Sequence, residues 1–520
     1  SVTPMSNDAE IFSAPLICKR RALRAGEGDH LAALARKFHP EALLSVVPTG
    51  VGFCMALNIK WLRKEPRLDP AFGRGYGEEV DWCQRVRARG GRHLGLPGLF
   101  VEHRGGESFG SAQKQALVQA NNRIITERYP GYDREVRDFI TADPMVTARL
   151  ALALGLVGIR AGEAPVTIAL AHTLGGGADD YLEQRLAQTV RQIGGAVILR
   201  VGGRQRWQIE VLTPEGRICG HTDDFTFIET LLDPIRTRHI LYSCGVGDRD
   251  PVRLPGLLAR LKRQAWDQIE VLFHDFFPLS PSYCLLEADG AYRGVPRSGT
   301  RNAAHTTRRP DGTRVDLSGW RSAWAGLLAQ AETLTVFSQD SRRLVAQVYP
   351  ACAPRIVVAP HALLTPVPRV QAPPPRGGQC IGVLGNIGYQ KGAQVVQDMA
   401  VRMGDLPGRA MVVIGNMDPS FALPDHVHVH GTYRVSDLAR LATRYGITDW
   451  LIPSVWPETF SYTTHEALAT GLPVWGFHLG AQGEALMQAR NGHLIHFDPD
   501  SDLADTVLAA LTVDRKAAAA

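Results

Sequence analysis

The chain has 520 residues, 45% hydrophobic and 21% charged, with a formal net charge of +5. That length predicts about three domains, and that balance excludes intrinsic disorder, collagen-like repeats and low-complexity classes. The basic excess lies in residues 1–150, with 22 Lys and Arg against 17 Asp and Glu, but it is spread thinly, which argues against nucleic acid as a partner.

The first block, residues 1–145, is rich in Arg and carries the stretch Phe72-Gly-Arg-Gly-Tyr-Gly-Glu-Glu-Val-Asp81. Glu78, Glu79 and Asp81 crowd three carboxylates together. Mutual repulsion can raise one pKa and poise a proton acceptor nearer neutrality. Acidic residues are also favoured at any solvated helix start. Residues 146–164 read as a linker whose apolar run, Leu150 to Ile159, is about half the length of a membrane-spanning helix.

An alternation of short apolar runs and longer amphipathic ones follows over 165–364. Val166 to Ala171 reads as a buried strand, Gly175-Gly176-Gly177 as a break and Ala178 to Ile193 as a helix. His239 to Ser243, Glu270 to Phe273 and Thr333 to Phe337 read as further strands, with helical spacing over Leu254 to Gln264. Such alternation argues for a parallel sheet covered on both faces. His274 and Asp275 follow one strand, Ser338 another, and His361 follows Val357-Val-Ala-Pro360; each falls at a cleft edge or serves as a core, turn or cap residue.

Residues 365–378, with Pro373-Pro-Pro375, read as an extended linker. The alternation restarts over 379–515: strand Gln379 to Leu384, helix Ala393 to Arg402, strand Ala410 to Ile414. In such sheets the ligand is expected in the cleft at the carboxyl ends of the strands. The sharpest feature is Pro453-Ser-Val-Trp-Pro-Glu458-Thr-Phe-Ser-Tyr-Thr-Thr-His-Glu466-Ala-Leu-Ala-Thr-Gly471. A helix beginning near Ser461 and ending at Gly471 puts Glu458 just before its N-terminus and Glu466 one to two turns inside. The helix start suits a diphosphate. One carboxylate beside it can counter positive charge on a sugar carbon, and a second can accept bonds from ribose hydroxyls.

Pro457-Glu458-x-Phe460 followed by Glu466-Ala-Leu-Ala-x-Gly-x-Pro-Val474 resembles the Glu-x7-Glu motif of glycosyltransferase family 4 over about residues 165–512. The resemblance implies the GT-B fold, two facing Rossmann-like domains, and retaining, metal-independent transfer. It implies that Glu458 and His274 are catalytic. It places Lys391 on the donor diphosphate, within Gly385-Asn386-Ile-Gly-Tyr-Gln-Lys391-Gly392, where Asn386 occupies the position of the family's Arg. Gly176, Gly177, Gly385, Phe460, Ser461 and Tyr462 complete the donor-binding set, with Glu466 on the ribose. Glu484, in Gly480-Ala-Gln-Gly-Glu484, matches the loop after the last motif strand or serves as a helix-start carboxylate. His274 to Tyr283 is similar to bacterial polysaccharide-assembly members.

Within residues 1–145, Gly50-Val-Gly-Phe-Cys-Met-Ala56, the run from Gly75 to Arg85 and Val101-Glu-His103 resemble the acceptor-side half of glycosyltransferase family 2, an inverting family with the GT-A fold. That resemblance makes Glu79 the general base, with Asp81 beside it, and His103 the late histidine that often binds metal. The nucleotide-binding half with its Asp-x-Asp motif is missing. Asp248-Arg-Asp250 and Asp498-Pro-Asp500 have the spacing but lie in the other module. The first block is therefore expected to be an inactive remnant, folded as an incomplete sheet.

The fold class expected is thus α/β, a GT-B pair preceded by a partial GT-A-like segment. The activity implied is a retaining hexosyl- or deoxyhexosyl-transferase. It would move sugar from a nucleotide-sugar donor to a glycan or lipid-linked acceptor in bacterial surface polysaccharide, such as lipopolysaccharide, without a cofactor or metal. A GT-B-fold sugar-nucleotide epimerase and a non-catalytic scaffold are the alternatives. The eight cysteines form no Cys-x-x-Cys pair, so a zinc site is not expected and the thiols suit a reducing compartment. The opening residues lack a signal-peptide pattern. The expected location is cytoplasmic, extending to the inner membrane face and to other assembly enzymes as partners.

Overall fold

The computed structural model describes residues 1–39, 41, 43–73, 75–104, 111–363, 365–371 and 378–519. They form a mixed α/β structure with several sheets. Two compact units divide the chain: Ser1–Ala169 with Glu183–His239, and Leu170–Leu182 with Ile240–Ala520.

The first unit opens with a three-stranded sheet of β1 (Val2–Ser6), β2 (Ser45–Val46) and β3 (Leu94–Val101). Central β3 pairs in parallel with β1 and antiparallel with β2. The core beneath it gathers Met5, Phe12, Leu31, Val47, Phe100, Leu152 and Leu156. The last two belong to a helix, Val146–Ala161. The segment 146–164, expected as a linker, is therefore a structural helix of this unit. Its apolar run is buried on nearly every side, and each buried Leu contributes about 1.5–3 kcal/mol. Gly155 allows the close approach: a Cβ there would lie 2.3 Å from Leu34 Cδ2. Buried Arg149 pairs with Asp143 at 3.1 Å and bonds the Ile11 carbonyl, while Arg160 pairs with Glu27 at 2.7 Å.

The division between units passes through β4 (Val166–His172), whose residues 166–171 are all buried. Within the first unit, β5 (Ala196–Val201), β6 (Trp207–Thr213) and β7 (Gly216–Thr222) form an antiparallel meander. This departs from the purely parallel sheet that strand–helix alternation predicts. Pro214-Glu215 makes the two-residue turn between β6 and β7, with Gly216 at φ +148°.

In the second unit, β8 (Arg238–Tyr242) crosses the division, and β9 (Gln268–Leu272) follows. A short hairpin, β10 (Thr307–Arg308) with β11 (Arg314–Val315), precedes β12 (Thr333–Val336) and β13 (Ile356–Val358). β12 pairs in parallel with both β9 and β13. Of the stretch expected as a linker, 365–378, residues 372–377 lie outside the described residues. Its earlier part is anchored, with the Val370 N–H donating to the Thr470 carbonyl at 2.9 Å.

The six strands that follow are all parallel: β14 (Gln379–Leu384), β15 (Arg409–Ile414), β16 (His428–Val429), β17 (Asp449–Ile452), β18 (Val474–Phe477) and β19 (Gly492–Ile495). Their order is β16-β15-β14-β17-β18-β19. Ile381 and Val383 enter one core with helix Ala393–Met403, and Leu384 and Trp450 the opposite core with helix Leu438–Tyr445. Gly382 makes room for Trp450: a Cβ there would lie 2.6 Å from the indole. No single helix among the described residues is long and apolar enough to cross a membrane.

Candidate active site

In the six-stranded sheet the chain leaves β14 in one direction and returns to its other side as β17. A crevice at the carboxyl ends of these two strands is the usual ligand position in such sheets. Lys391 sits in the turn after β14, and Glu458 in the loop after β17. Their side chains meet, with Lys391 Nζ 2.7 Å from Glu458 Oε2. The Glu458 side chain is only 2% exposed, against 31% for Lys391. Ser454 Oγ donates to the other carboxylate oxygen, and the Glu458 N–H donates to Gln482 Oε1 at 3.1 Å.

Two glycines permit this convergence. Gly392 has φ +83°, and a Cβ there would lie 2.0 Å from the Pro453 carbonyl oxygen. Gly480 has φ +55°, and its Cβ would fall 2.5 Å from the Glu458 nitrogen. Both positions require a positive φ and no side chain.

Ser461 caps the helix Tyr462–Ala469 by accepting from the Thr464 N–H, and Gly471 follows its end at φ +84°. Glu466 is buried inside that helix, where Tyr433 Oη donates to its Oε2 at 3.4 Å. Burial pushes the Glu466 carboxyl up from its ordinary value, and the Tyr433 bond partly offsets this. Gly385 has φ +114°, and its Cβ would touch Thr463 Cγ2 at 3.0 Å, so this loop lies over the helix start. Asn386 is held by Asn416, whose Nδ2 donates to Asn386 Oδ1 at 2.9 Å.

The elements around β9 to β13 contribute an aromatic array. Phe337 stacks on His361 at 3.9 Å between centroids and His274 on Phe337 at 4.7 Å. Tyr181 meets His361 edge-on at 4.4 Å. Phe460 and Tyr462 meet the same imidazole at 4.8 and 5.5 Å. His274 is tied to the Glu458 loop through its carbonyl, which accepts from Thr459 Oγ1 at 2.8 Å. A Cβ on Gly177 would lie 2.9 Å from the Tyr462 ring, so the glycine turn after β4 approaches that ring directly. Gly176 has φ +94° and an open position. Burial, and then His465, lower the His361 pKa to about 4, which leaves its imidazole neutral near pH 7.

Glu458, Lys391, His274, Phe460, Ser461, Tyr462, Gly385 and Gly177 are thus gathered at one crevice, with Glu466 further along the helix. Ser338 and Glu484 do other work. Ser338 caps the helix Gln339–Val348 by accepting from the Ser341 N–H, and Glu484 accepts from the N–H groups of Gln339 and Asp340. Of the two Asp-x-Asp pairs set aside, Asp250 pairs with Arg309 and Asp500 with Arg293. Ser454, Gln482 and Tyr433 support the two carboxylates without a motif to announce them.

In the first unit the three acidic residues separate in role. Asp81 is 1% exposed and pairs with Arg85 at 2.9 Å and Arg128 at 2.8 Å, while Tyr129 Oη donates to it at 2.8 Å. That network makes it a packing carboxylate. Glu79 lies in the first turn of the helix Glu78–Ala88 and accepts from the Gly77 N–H at 3.2 Å. Burial raises the Glu78 pKa, and the neighbouring Glu79 adds to the rise. His103 stacks on Phe53 at 5.3 Å, and its Nδ1 meets the Asp8 carbonyl oxygen. Among the described residues no three His, Cys, Asp or Glu side chains are arranged to hold a metal ion.

No protein-family model matches the chain, and no curated protein is significantly similar to it. Solved structures are similar at low identity. Sucrose-phosphate synthase from Thermosynechococcus elongatus is 16% identical, with 67% of this chain and 90% of that one covered at a TM-score of 0.44. The catalytic domain of starch synthase IV from Arabidopsis thaliana, bound to ADP and acarbose, is 12% identical, with 67% and 92% covered at 0.40. Anabaena HepE in complex with UDP is 13% identical, with 68% and 90% covered at 0.41.

Proposed function

We propose that residues 165–512 form a retaining glycosyltransferase that moves a hexosyl or deoxyhexosyl group from a nucleotide-sugar donor to a glycan or lipid-linked acceptor in bacterial surface polysaccharide assembly. The observation that carries this reading is the Lys391–Glu458 pair at the mouth of β14 and β17, immediately before a capped helix that holds Glu466.

In the proposed reaction the donor diphosphate lies against the start of helix Tyr462–Ala469, where N–H groups and the helix dipole favour an anion. Lys391 exchanges its carboxylate partner for a diphosphate oxygen. Glu458 is then left facing the sugar, where its charge steadies the oxocarbenium-like carbon alongside polar groups near His274. The bond from the sugar carbon to the diphosphate breaks, and the acceptor oxygen attacks on the same face. The departing diphosphate takes the acceptor's proton. Glu466 binds the ribose hydroxyls. No metal takes part, because Lys391 and the helix start supply the positive counterpart. Residues 1–145 take no part in the chemistry.

The test is a thermal-shift series with UDP, GDP and ADP, each with magnesium or with excess chelator. A ligand that binds only the native state raises the melting temperature by mass action. One nucleotide should stabilise the protein equally under both conditions. No shift with any of the three would end the reading, and a shift that needs magnesium would end its metal-free form.

A further inference from the structure

We propose that His361 and Tyr462 act as a pair that reads a hydroxyl of the transferred sugar, and so set which sugar the crevice accepts. The inference rests on the nucleotide-sugar reading above and adds to it the group that distinguishes one sugar from another. His361 Nδ1 and Tyr462 Oη are both buried and both without a hydrogen-bond partner. Buried polar atoms are satisfied in the great majority of native structures, and an unpaired one is costly. Here two occur on neighbouring rings, 5.5 Å apart and 19° from parallel.

Phe337, Phe460 and the ring of Tyr181 pack around the imidazole. The Tyr462 ring also faces the Gly177 backbone. The two rings belong to different elements. His361 follows β13, whereas Tyr462 opens the helix four residues after Glu458.

The chemistry selects a hydroxyl. The imidazole is neutral, so Nδ1 either donates or accepts according to tautomer. The phenol does both. A sugar hydroxyl can donate to one and accept from the other in either tautomer, and an apolar ring face of the sugar suits the aromatic walls. A phosphate oxygen, which only accepts, fails to satisfy an unprotonated Nδ1. The pair therefore suits a sugar hydroxyl in either tautomer, whereas a phosphate oxygen suits it only where Nδ1 carries the proton.

Tyr462→Phe and His361→Phe each delete the polar atom and keep a ring. Melting curves of the free protein and calorimetric affinities for UDP, GDP, UDP-glucose and GDP-mannose separate the outcomes. The free variants should melt at or above the wild-type temperature, since an unpaired atom has been removed. Binding of the nucleoside diphosphate should be unchanged. The affinity of the sugar conjugate relative to its own diphosphate should fall about tenfold in each variant, the equivalent of one lost hydrogen bond. An unchanged conjugate-to-diphosphate ratio would overturn the proposal. So would free variants that melt lower with that ratio intact, because the two atoms would then serve the fold. Failure of wild type to bind any of the four probes, or ADP and ADP-glucose added beside them, would instead remove the nucleotide-sugar reading, and this inference with it.

Discussion

Replacing Lys391 by Met should cost more stability than replacing Glu458 by Gln, although the two form one ion pair. The Glu458 side chain is 2% exposed and that of Lys391 31%. Lys391→Met leaves a buried carboxylate with Ser454 and no cation. Removing one member of a buried pair costs about 3–5 kcal/mol, and partial exposure of the lysine brings this to about 2–3 kcal/mol. Glu458→Gln removes the charge at the buried end and leaves Lys391 near solvent, which costs about 1 kcal/mol. Lys391→Met combined with Glu458→Gln should regain part of the loss, with a coupling of about 1–2 kcal/mol. At about 2–4 °C per kcal/mol for a large domain, Lys391→Met should melt about 4–12 °C below wild type. Scanning calorimetry of the full chain at pH 7 without nucleotide reads all three variants. A Lys391→Met melting point within about 1 °C of wild type, or a double variant that falls by the sum of the single losses, would refute the pair as drawn.

Further expectations concern other carboxylates. Glu458→Gln should abolish most transfer while sparing nucleotide binding, whereas Glu466→Gln should weaken nucleotide binding through lost charge-assisted bonds to the ribose; calorimetry beside turnover assays tells them apart, and equal loss of binding in both variants would contradict the division. Asp275 is buried, accepts from Cys244 Sγ at 3.0 Å and from the Phe277 N–H at 2.9 Å, and burial raises its pKa from 3.8 to about 6. Between those values the folded state holds the proton that the unfolded state has released, so stability falls as pH rises from about 4 to about 6 and levels off above. Asp275→Asn should flatten that decline in melts taken across the window. In the first unit, Asp81→Asn should destabilise by about 2–3 kcal/mol, since Arg85 and Arg128 lose their shared partner. Glu79→Gln and His103→Ala should leave turnover unchanged, and loss of transfer in Glu79→Gln would restore that block as an active site.

The carboxylate spacing and the helix around it were legible in the sequence because both are local. Ser461 and Gly471 are capping residues whose chemistry is carried by the residue type, and the helix runs between them. Strands β14 and β15 of the last sheet were equally plain from their apolar runs. What escaped depends on contacts distant in sequence. Lys391 and Glu458 are 67 residues apart, and nothing in either motif says that the two side chains meet. The array of Tyr181, His274, Phe337 and His361 arises from four separate segments. The helix Val146–Ala161 lies where the sequence suggests a linker, because a helix buried on nearly all sides has no polar face to display. The hairpin of β6 and β7 carried a usable signal in Pro214-Glu215-Gly216 between two β-branched runs, one that a search for strand–helix alternation passes over.

The central claim is tested most directly by following the anomeric carbon. The chain is incubated with UDP-, GDP- and ADP-sugars and a mixture of simple glycan acceptors, and the products are read by proton NMR. The account predicts that one donor releases its nucleoside diphosphate only as a new glycoside forms, with the donor's anomeric configuration kept. A product of inverted configuration, a new sugar nucleotide formed without acceptor, or no turnover with any donor would contradict it.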